Sequence, residues 1–385
     1  MSRITRLRPA AFLAAVLALS LLVAAGCGSS NSSTSSGSTS ASGQTVGNVK
    51  GGIAVLLPDS KSSVRWETQD RPDLDKAFTA AGIPHTIVNA EGDAAAQRTQ
   101  ADQALTNGAK VVLLVDLDSG SGSSIIAAAH KAGAKVIDYD RLTLGGGADY
   151  YVSFDNQRVG KLQGLGLVKC LSAGTTKTPV VAELNGSPTD NNATLFADGY
   201  NSVLNPLYAK GALKKGPNQS VPDWDNQQAL TIYEQMLQST NNKIDGVLAA
   251  NDGLANSVIS AQQARKLPKI PVTGQDATAQ GIQHILSGDQ CMTVYKNVNK
   301  EAASAAAAAI ALIKGQKPAS TTTLDNKSGK PVAASTSGGT PAILLTPQSV
   351  TKKNINSTVI KDGFLKASDI CTGQYAQYCK QAGIQ

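Results

Sequence analysis

The chain alternates between short, nearly continuous apolar runs and longer segments whose apolar residues recur at helical spacing. In one such segment Leu74, Ala77, Phe78 and Ala81 follow this spacing, and Gly82 stops the helix. The predicted strands are residues 52–57, 110–115, 135–138, 151–154, 180–184, 244–249, 270–273 and 292–295. Near-continuous apolar strands separated by helices predict an α/β fold with parallel sheets buried on both faces.

Each predicted strand is followed by polar residues. They are Asp59, Asp116, Asp118, Asp140, Arg141, Asp155, Asn156, Asn185, Asn251, Asp252, Gln275, Asp276, Lys296 and Asn297. In an open parallel sheet, ligands bind just beyond the carboxyl ends of the strands, so these residues predict a binding site drawn from both halves of the chain. The alternative is turn chemistry, because Asp and Asn are also favoured in turns.

The N-terminus predicts export. Arg3, Arg6 and Arg8 precede an apolar run over residues 11–25, and small residues lead into Cys27. This pattern is typical of a secretory signal peptide, here residues 1–26, and not of a spanning helix. Small residues running into a cysteine also resemble a bacterial lipobox, in which the cysteine is acylated and becomes the new N-terminus.

Residues 28–43 are almost wholly Ser, Thr and Gly and cannot form a core. We therefore expect residues 27–48 to be a lipid anchor and flexible tether. A secreted, unanchored product and a disordered end without a tethering role are the alternatives.

Composition restricts the classes of partner. The chain has 385 residues, so the part after residue 26 exceeds the usual size of one hydrophobic core and two domains are expected. The formal net charge is +7, without a basic block, so nucleic acid is not an expected partner. No second apolar run approaches the length of a membrane span, so the body of the protein is expected to be soluble.

Four cysteines follow Cys27. In an exported protein this even number predicts two disulfides, with Cys371 and Cys379 as the first pair and Cys170 with Cys291 as the second. Free buried thiols are the alternative.

The candidate chemistry is hydrogen bonding beside aromatic rings. The only two tryptophans, Trp66 and Trp224, lie in polar loop surroundings. Sugar hydroxyls are bound by Asp, Asn and Arg, and the C–H faces of a sugar stack on flat aromatic rings. Each tryptophan taken alone could also be an ordinary lid or core residue.

Catalysis has little support. His85, His130 and His284 follow no metal-ligand spacing, and Gly160-Lys161 is followed by leucine instead of the Ser or Thr of a P-loop. Paired carboxylates could serve a glycosidase, but here they are distributed over many strand ends beside amides. We expect a binding protein with no catalytic residue, no metal and no cofactor.

Together these residues resemble the periplasmic sugar-binding proteins of ABC importers, in the type I periplasmic binding protein family. The resemblance covers about residues 51–370. The matching stretches are residues 65–66, 134–141, 151–156, 186–193, 251–252, 274–276, 293–296, 344–347 and 358–364.

The resemblance implies two Rossmann-like lobes joined by a three-segment hinge. One lobe would be residues 49–153 plus 298–345, and the other residues 154–297 plus 346–385. Carried over residue by residue, the ligand-binding set is Arg65, Trp66, Asp140, Arg141, Asn156, Trp224, Asn251, Asp276 and Lys296, with the two tryptophans sandwiching the sugar ring. Residues 59–63 and Asp138 depart from the family pattern, which bears on the sugar bound and not on the class of ligand.

The implied function is capture of a monosaccharide, with D-xylose as the first choice, by closure of the lobes. The protein would act as a monomer that delivers the sugar to a membrane permease with its ATPase, from the outer face of the cytoplasmic membrane. Alternatives are another monosaccharide or furanose-type signal molecule, or a secreted carbohydrate-active enzyme. A gene regulator of the same architecture would need a helix-turn-helix at the front, where this chain has a signal peptide.

Overall fold

The computed structural model describes Gln44 and residues 46–384. The predicted signal peptide, the predicted lipidation site at Cys27 and nearly all of the tether lie outside these residues. Over the described range, none of the helices combines the length and apolar content needed to cross a membrane.

Helices and strands alternate along most of the chain. In order they are β1 (Ile53–Leu57), α1 (Arg71–Ala80), β2 (His85–Asn89), α2 (Ala94–Thr106), β3 (Val111–Leu114), α3 (Ser119–Lys131), β4 (Lys135–Tyr139), β5 (Tyr150–Phe154), α4 (Asn156–Leu171), β6 (Val180–Asn185), α5 (Asn191–Ala209), β7 (Lys214–Ser220), α6 (Asn226–Ser239), β8 (Gly246–Ala249), α7 (Asp252–Ala264), α8 (Ala279–Ser287), β9 (Thr293–Tyr295), α9 (Val298–Ile313), β10 (Thr322–Asp325), β11 (Pro331–Val332), β12 (Gly339–Leu345), β13 (Gln348–Val350), α10 (Ala367–Ile370) and α11 (Tyr375–Gln381). Short π-helical turns cover Trp66–Asp70 and Asn356–Ile360, and a 3-10 turn covers Pro222–Trp224.

The first lobe is built on an eight-stranded sheet of order β11-β10-β12-β5-β4-β3-β1-β2. Strands β1 to β5 and β12 are parallel, whereas β10 and β11 add an antiparallel edge. One face packs against α1 and α9 through residues such as Phe78 and Ala305, and the other face packs against α2 and α3 through Ala104 and Ile125. The parallel strands are therefore buried on both faces, as predicted.

The second lobe repeats this plan on a smaller scale. Strands β7, β6 and β8 are parallel, and a single bridge from Val247 to Val272 continues the sheet. Strand β9 follows through a backbone bond from Val294 to Gly274, and β13 pairs with β9 antiparallel. Helices α4 to α7 cover the core of this sheet, and α8 with the C-terminal residues forms a smaller cluster beside it.

The chain crosses between the lobes three times, from β5 to α4, from β9 to α9 and from β12 to β13. The predicted α/β architecture of two Rossmann-like lobes with a three-segment hinge is the observed one. In a fold of this kind the strand ends of both lobes face the cleft that the crossings border.

The observed strands differ from the predicted ones in several places. Strand β7 was not predicted because its sequence, Lys-Lys-Gly-Pro-Asn-Gln-Ser, is polar and its side chains are mostly exposed. Strands β2, β10, β11, β12 and β13 were also missed. The predicted strand at residues 270–273 is reduced to the single bridge at Val272.

Both disulfides lie in the second lobe. Cys170 of α4 is bonded to Cys291, two residues before β9, and Cys371 is bonded to Cys379 of α11. These are the two pairings that the cysteine count favoured over free thiols.

Candidate functional site

A small cavity lies between the lobes, at the carboxyl ends of the strands. The first lobe contributes what we call the first wall, made of Ser62, Ser63, Arg65, Trp66, Asp140 and Arg141. The remaining lining residues, which we call the second wall, are Asp190, Asn192, Phe196, Trp224, Asn251, Gln275, Asp276 and Lys296.

The structure brings eight of the nine predicted ligand-binding residues to this cavity. The exception is Asn156, which lies behind Asn192. Nδ2 of Asn156 donates to Oδ1 of Asn192 at 2.7 Å and also to the hydroxyl of Tyr151 at 3.2 Å. Asn192 lines the cavity in front of Asn156, so the structure does not place Asn156 at the cavity and the predicted set is corrected at this position.

Six lining residues were not predicted: Ser62, Ser63, Asp190, Asn192, Phe196 and Gln275. A signal existed for some of them. Gln275 stands at a strand end, and Asp190 and Asn192 lie within the stretch 186–193 that matched the family pattern. Phe196 carried no such signal, because an apolar residue inside a helix reads as ordinary core.

Arg65 is the centre of the first wall. Its Nε and Nη2 donate to Asp70 at 2.8 and 2.7 Å, Nη1 donates to Asp140 at 2.8 Å, and Nη2 donates to Glu301 at 2.6 Å. These four bonds occupy four of the five N–H donors of a guanidinium. Arg65 therefore orients the first wall and has one N–H left for a ligand.

Asp140 is held from several directions. Its backbone carbonyl accepts from the hydroxyls of Tyr151 and Ser153, each at 2.9 Å, and from Nδ2 of Asn192 at 3.0 Å. Its φ of 63° lies in the left-handed region that a residue with a side chain rarely adopts. Such backbone conformations persist where the surroundings fix them, often at functional sites.

The second wall contains charged groups with few partners. Nζ of Lys296 lies 3.3 Å from Asp276 and 3.8 Å from Asp140, and it donates no hydrogen bond to any residue that the structure describes. Burial alone would lower the pKa of Lys296, but the carboxylates of Asp276 and Asp140 outweigh it and raise that pKa. The ammonium is therefore charged and held close to the cavity.

Two amides of the second wall are also incompletely bonded. Oδ1 of Asn251 caps α7 by accepting from the backbone of Leu254 at 2.9 Å, while its Nδ2 donates to none of the described residues. Oε1 of Gln275 is buried without a hydrogen-bond partner in the described part of the chain. A polar group left in this state carries a desolvation cost that a ligand hydroxyl can remove.

Aromatic side chains complete both walls. Trp66 donates from Nε1 to Ser62 at 3.3 Å, and the Arg65 guanidinium lies 4.4 Å from its ring centre. Trp224 lies in the opposite lobe, with the ring of Phe196 edge-on at 6.4 Å. The two tryptophans therefore line the same cavity from different lobes.

Comparison with known proteins places this geometry in a family. A family model for the periplasmic binding protein domain matches residues 53–317. The chain belongs to the periplasmic binding protein family. The predicted resemblance is thereby confirmed, and so is the prediction that the chain is not an enzyme, because the family and the relatives are binding proteins.

Several relatives of this periplasmic binding protein are known. It is 38% identical to the D-xylose-binding periplasmic protein of Escherichia coli over 84% of this chain and 92% of that protein. It is 33% identical to a multiple sugar-binding periplasmic receptor of Rhizobium radiobacter, over 83% of this chain and 92% of the receptor. An ABC transporter solute-binding protein from Clostridium phytofermentans, solved with bound β-D-glucose, superimposes with a TM-score of 0.75 at 28% identity, covering 83% of this chain and 99% of that one.

Several polar strand ends of this binding protein serve the fold instead of the cavity. Asp118, Asp155 and Asn297 cap the N-termini of α3, α4 and α9. Asp252 is buried and accepts hydrogen bonds from Thr278, Gln290 and Thr293. Turn and cap chemistry therefore explains part of the pattern, as the alternative interpretation required.

The unexpected acid at Asp138 is also structural. It is fully buried and accepts from the backbone N–H and the hydroxyl of Thr143, at 2.8 and 2.9 Å. Burial and the neighbouring Asp116 raise its pKa well above the usual range. Within the described residues, no group of three or more His, Cys, Asp or Glu side chains is placed to hold a metal ion.

Proposed function

We propose that this periplasmic binding protein captures a monosaccharide, D-xylose first, and delivers it to the membrane permease of an ABC importer with its ATPase. The observation that carries the proposal is the pairing of two indoles with polar groups that have no hydrogen-bond partner among the described residues, all around one small cavity. A pyranose offers both apolar C–H faces and a rim of hydroxyls, and this combination matches the cavity.

The cavity offers several hydrogen-bonding groups to the hydroxyls of a pyranose. Lys296 offers ammonium donors, Asp276 a carboxylate whose nearest cation is Lys296 at 3.3 Å, and Asn251 an amide donor. Gln275 adds a buried acceptor, and Arg65 adds its remaining N–H. Each of these groups is largely shielded from water, so a sugar hydroxyl that replaces the missing partner gains more than it would at an exposed site.

We expect the lobes to close on the sugar because each lobe carries only some of the ligand-binding residues. Trp66, Asp140 and Arg141 stand in the first wall, and Trp224 and Lys296 stand in the second. Either lobe alone offers only part of the contacts, so a sugar stabilises the closed arrangement through its differential contacts with the two states. The closed form would be the one that the permease recognises.

D-Xylose is placed first because the relatives that are 38% identical are D-xylose-binding proteins. A hexose is the second candidate, since solved relatives at 28% and 29% identity hold glucose.

We propose further that the mature protein is a monomer, tethered by a lipid on Cys27 to the outer face of the cytoplasmic membrane. Replacing Cys27 with alanine should release it from the membrane fraction.

A ligand screen tests this function. Purified protein lacking residues 1–26 is melted with D-xylose, D-glucose, D-ribose, L-arabinose and a furanose. A sugar that binds only the folded state stabilises it by about 2.7 kcal/mol when the sugar concentration is a hundred times the dissociation constant. This stabilisation raises the melting temperature. We expect the largest shift with D-xylose. A larger shift with glucose would move the assignment to the hexose, and no shift with any sugar would contradict the function.

A further inference from the structure

Trp224 is held in a backbone conformation that needs support. Asp223 and Trp224 have φ values of 53° and 56°, so two consecutive residues with side chains lie in the left-handed region. This region is rarely adopted by residues other than Gly, Asn and Asp, and a bulky residue there is uncommon. Contacts elsewhere must keep the indole in place.

The support for the indole comes from the loop after β6. Nε1 of Trp224 donates to Oδ2 of Asp190 at 3.1 Å. The neighbouring backbone N–H of Asp223 donates to the hydroxyl of Ser187 at 3.1 Å. At Gly186 a side chain is excluded, because a Cβ built there would overlap the six-membered ring of Trp224.

The same carboxylate faces the opposite lobe. Oδ2 of Asp190, which accepts from the indole, lies 3.4 Å from Nε of Arg141. That Nε is buried and has no hydrogen-bond partner among the described residues. The other oxygen of Asp190 is occupied, since it accepts from the backbone of Asn192 at 2.9 Å. One oxygen therefore serves Trp224 of the second wall and attracts Arg141 of the first.

We propose that Asp190 is a positioning residue that fixes the indole of Trp224 and aligns it with Arg141 across the cleft. The aromatic face and the cation then reach their binding positions together when the lobes close. This inference rests on the proposed sugar-binding function and deepens it. It assigns to Asp190 a role in orienting two ligand-binding side chains through separate contacts of one carboxylate.

The matched variants are Asp190→Asn and Asp223→Asn. Asparagine at position 190 keeps the size but replaces one acceptor oxygen with a donor, so the Asn192 backbone and the Trp224 indole can no longer both be satisfied. The charge that attracts Arg141 is lost as well. Asp223 is exposed in the same loop and tolerates asparagine at its positive φ, so its variant loses the same charge without touching the indole.

The first readout needs no sugar. Two tryptophans give two indole N–H signals in a ¹⁵N-labelled sample, assigned with Trp66→Phe. We expect Asp190→Asn to shift the Trp224 signal and Asp223→Asn to leave it in place. An equal response to both variants would overturn the proposal. Because this comparison is made without ligand, it stays decisive even if the sugar screen fails and the proposed function falls.

The second readout is sugar affinity in a double-mutant cycle. Asp190→Asn should weaken binding about tenfold in the wild-type background, but by a smaller factor when Trp224 is already phenylalanine, because only the contact with Arg141 then remains to be lost. Equal losses in the two backgrounds would contradict the role. If Asp190→Asn does not fold, Gly186→Ala replaces it. Its methyl group should displace the indole and weaken binding, and wild-type affinity in that variant would overturn the proposal.

Discussion

Arg65 and Asp140 of the first wall differ from Lys296 and Asn251 of the second wall in how completely their polar groups are bonded. In the first wall, Arg65 uses four N–H donors on three carboxylates and Asp140 is held through its backbone and its side chain. In the second wall, Lys296 has ion-pair contacts but no hydrogen bond to a described residue, and Nδ2 of Asn251 likewise donates to none of them. Arg65 and Asp140 are held in place before a ligand arrives, whereas Lys296 and Asn251 gain partners when a ligand binds.

This difference predicts that mutations at the two sets of residues change different quantities, the stability of the fold or the affinity for sugar. Mutations in the first wall should mainly change the free energy of unfolding, because they break bonds that the protein makes with itself. Mutations in the second wall should mainly change the dissociation constant, because their missing partners are on the sugar.

The largest effect is expected for Arg65→Met. It leaves the buried carboxylates of Asp70, Asp140 and Glu301 without their shared cation, and breaking a buried ion pair in this way costs about 3–5 kcal/mol. Urea unfolding measures the loss. Arg98→Met is the control, because Arg98 is exposed and its contact with Asp102 is 3.7 Å long. Equal stability of the two variants would contradict the central role of Arg65.

Lys296→Met should mainly affect binding. Removing one partner of a desolvated charge cluster typically costs about 2–5 kcal/mol of binding free energy. Calorimetry with the best sugar of the screen gives the dissociation constant. Lys300→Met, an exposed lysine one turn further on in α9, should bind like wild type. Unchanged affinity in Lys296→Met would remove this residue from the site.

Trp224→Ala should weaken sugar binding by about 1–3 kcal/mol, as expected for a desolvated aromatic anchor. Quenching of tryptophan fluorescence on sugar addition, followed in this variant and in wild type, measures the change. The melting temperature without sugar is recorded as well, because Trp224 also belongs to the core of the second lobe. A variant that is destabilised but binds with wild-type affinity would limit Trp224 to the core.

The smallest effect is the pH dependence of stability that comes from Glu301, which accepts a hydrogen bond from Arg65 of the first wall. Burial, opposed by Arg65, raises the pKa of Glu301 to about 8, so the folded protein holds a proton that the unfolded chain has released by neutral pH. Stability from this group is complete at low pH and is lost as pH rises toward that pKa. The free energy of unfolding should therefore fall by about 1 kcal/mol between pH 7 and pH 8.

Glu301→Gln removes this titration while keeping the size of the side chain. Its unfolding free energy should fall less steeply over the same interval than that of wild type. Parallel profiles for the two proteins would show that Glu301 does not titrate in this range.

The fold could largely be predicted where burial dictates sequence. Strand β3 is fully buried and therefore reads as an apolar run, whereas β7 lies exposed at a sheet edge and its polar sequence gives no such signal. Edge strands depend on backbone pairing with a neighbour, which a local pattern does not encode.

The site could be predicted where a residue directly ends a strand. Asp140, Arg141 and Lys296 were found because the carboxyl ends of parallel strands converge. Asn192 was missed because it follows β6 only after a loop, so its position depends on the path of that loop. Asn156 does follow a strand directly, but it starts α4 behind Asn192 and not at the cavity.

A crystal structure of the protein with D-xylose tests the account most directly. We expect one sugar between Trp66 and Trp224, with hydroxyls within hydrogen-bond distance of Lys296 Nζ, Asn251 Nδ2 and the Asp276 carboxylate. A sugar bound away from these groups, or a cavity that stays without sugar at saturating xylose and glucose, would contradict it.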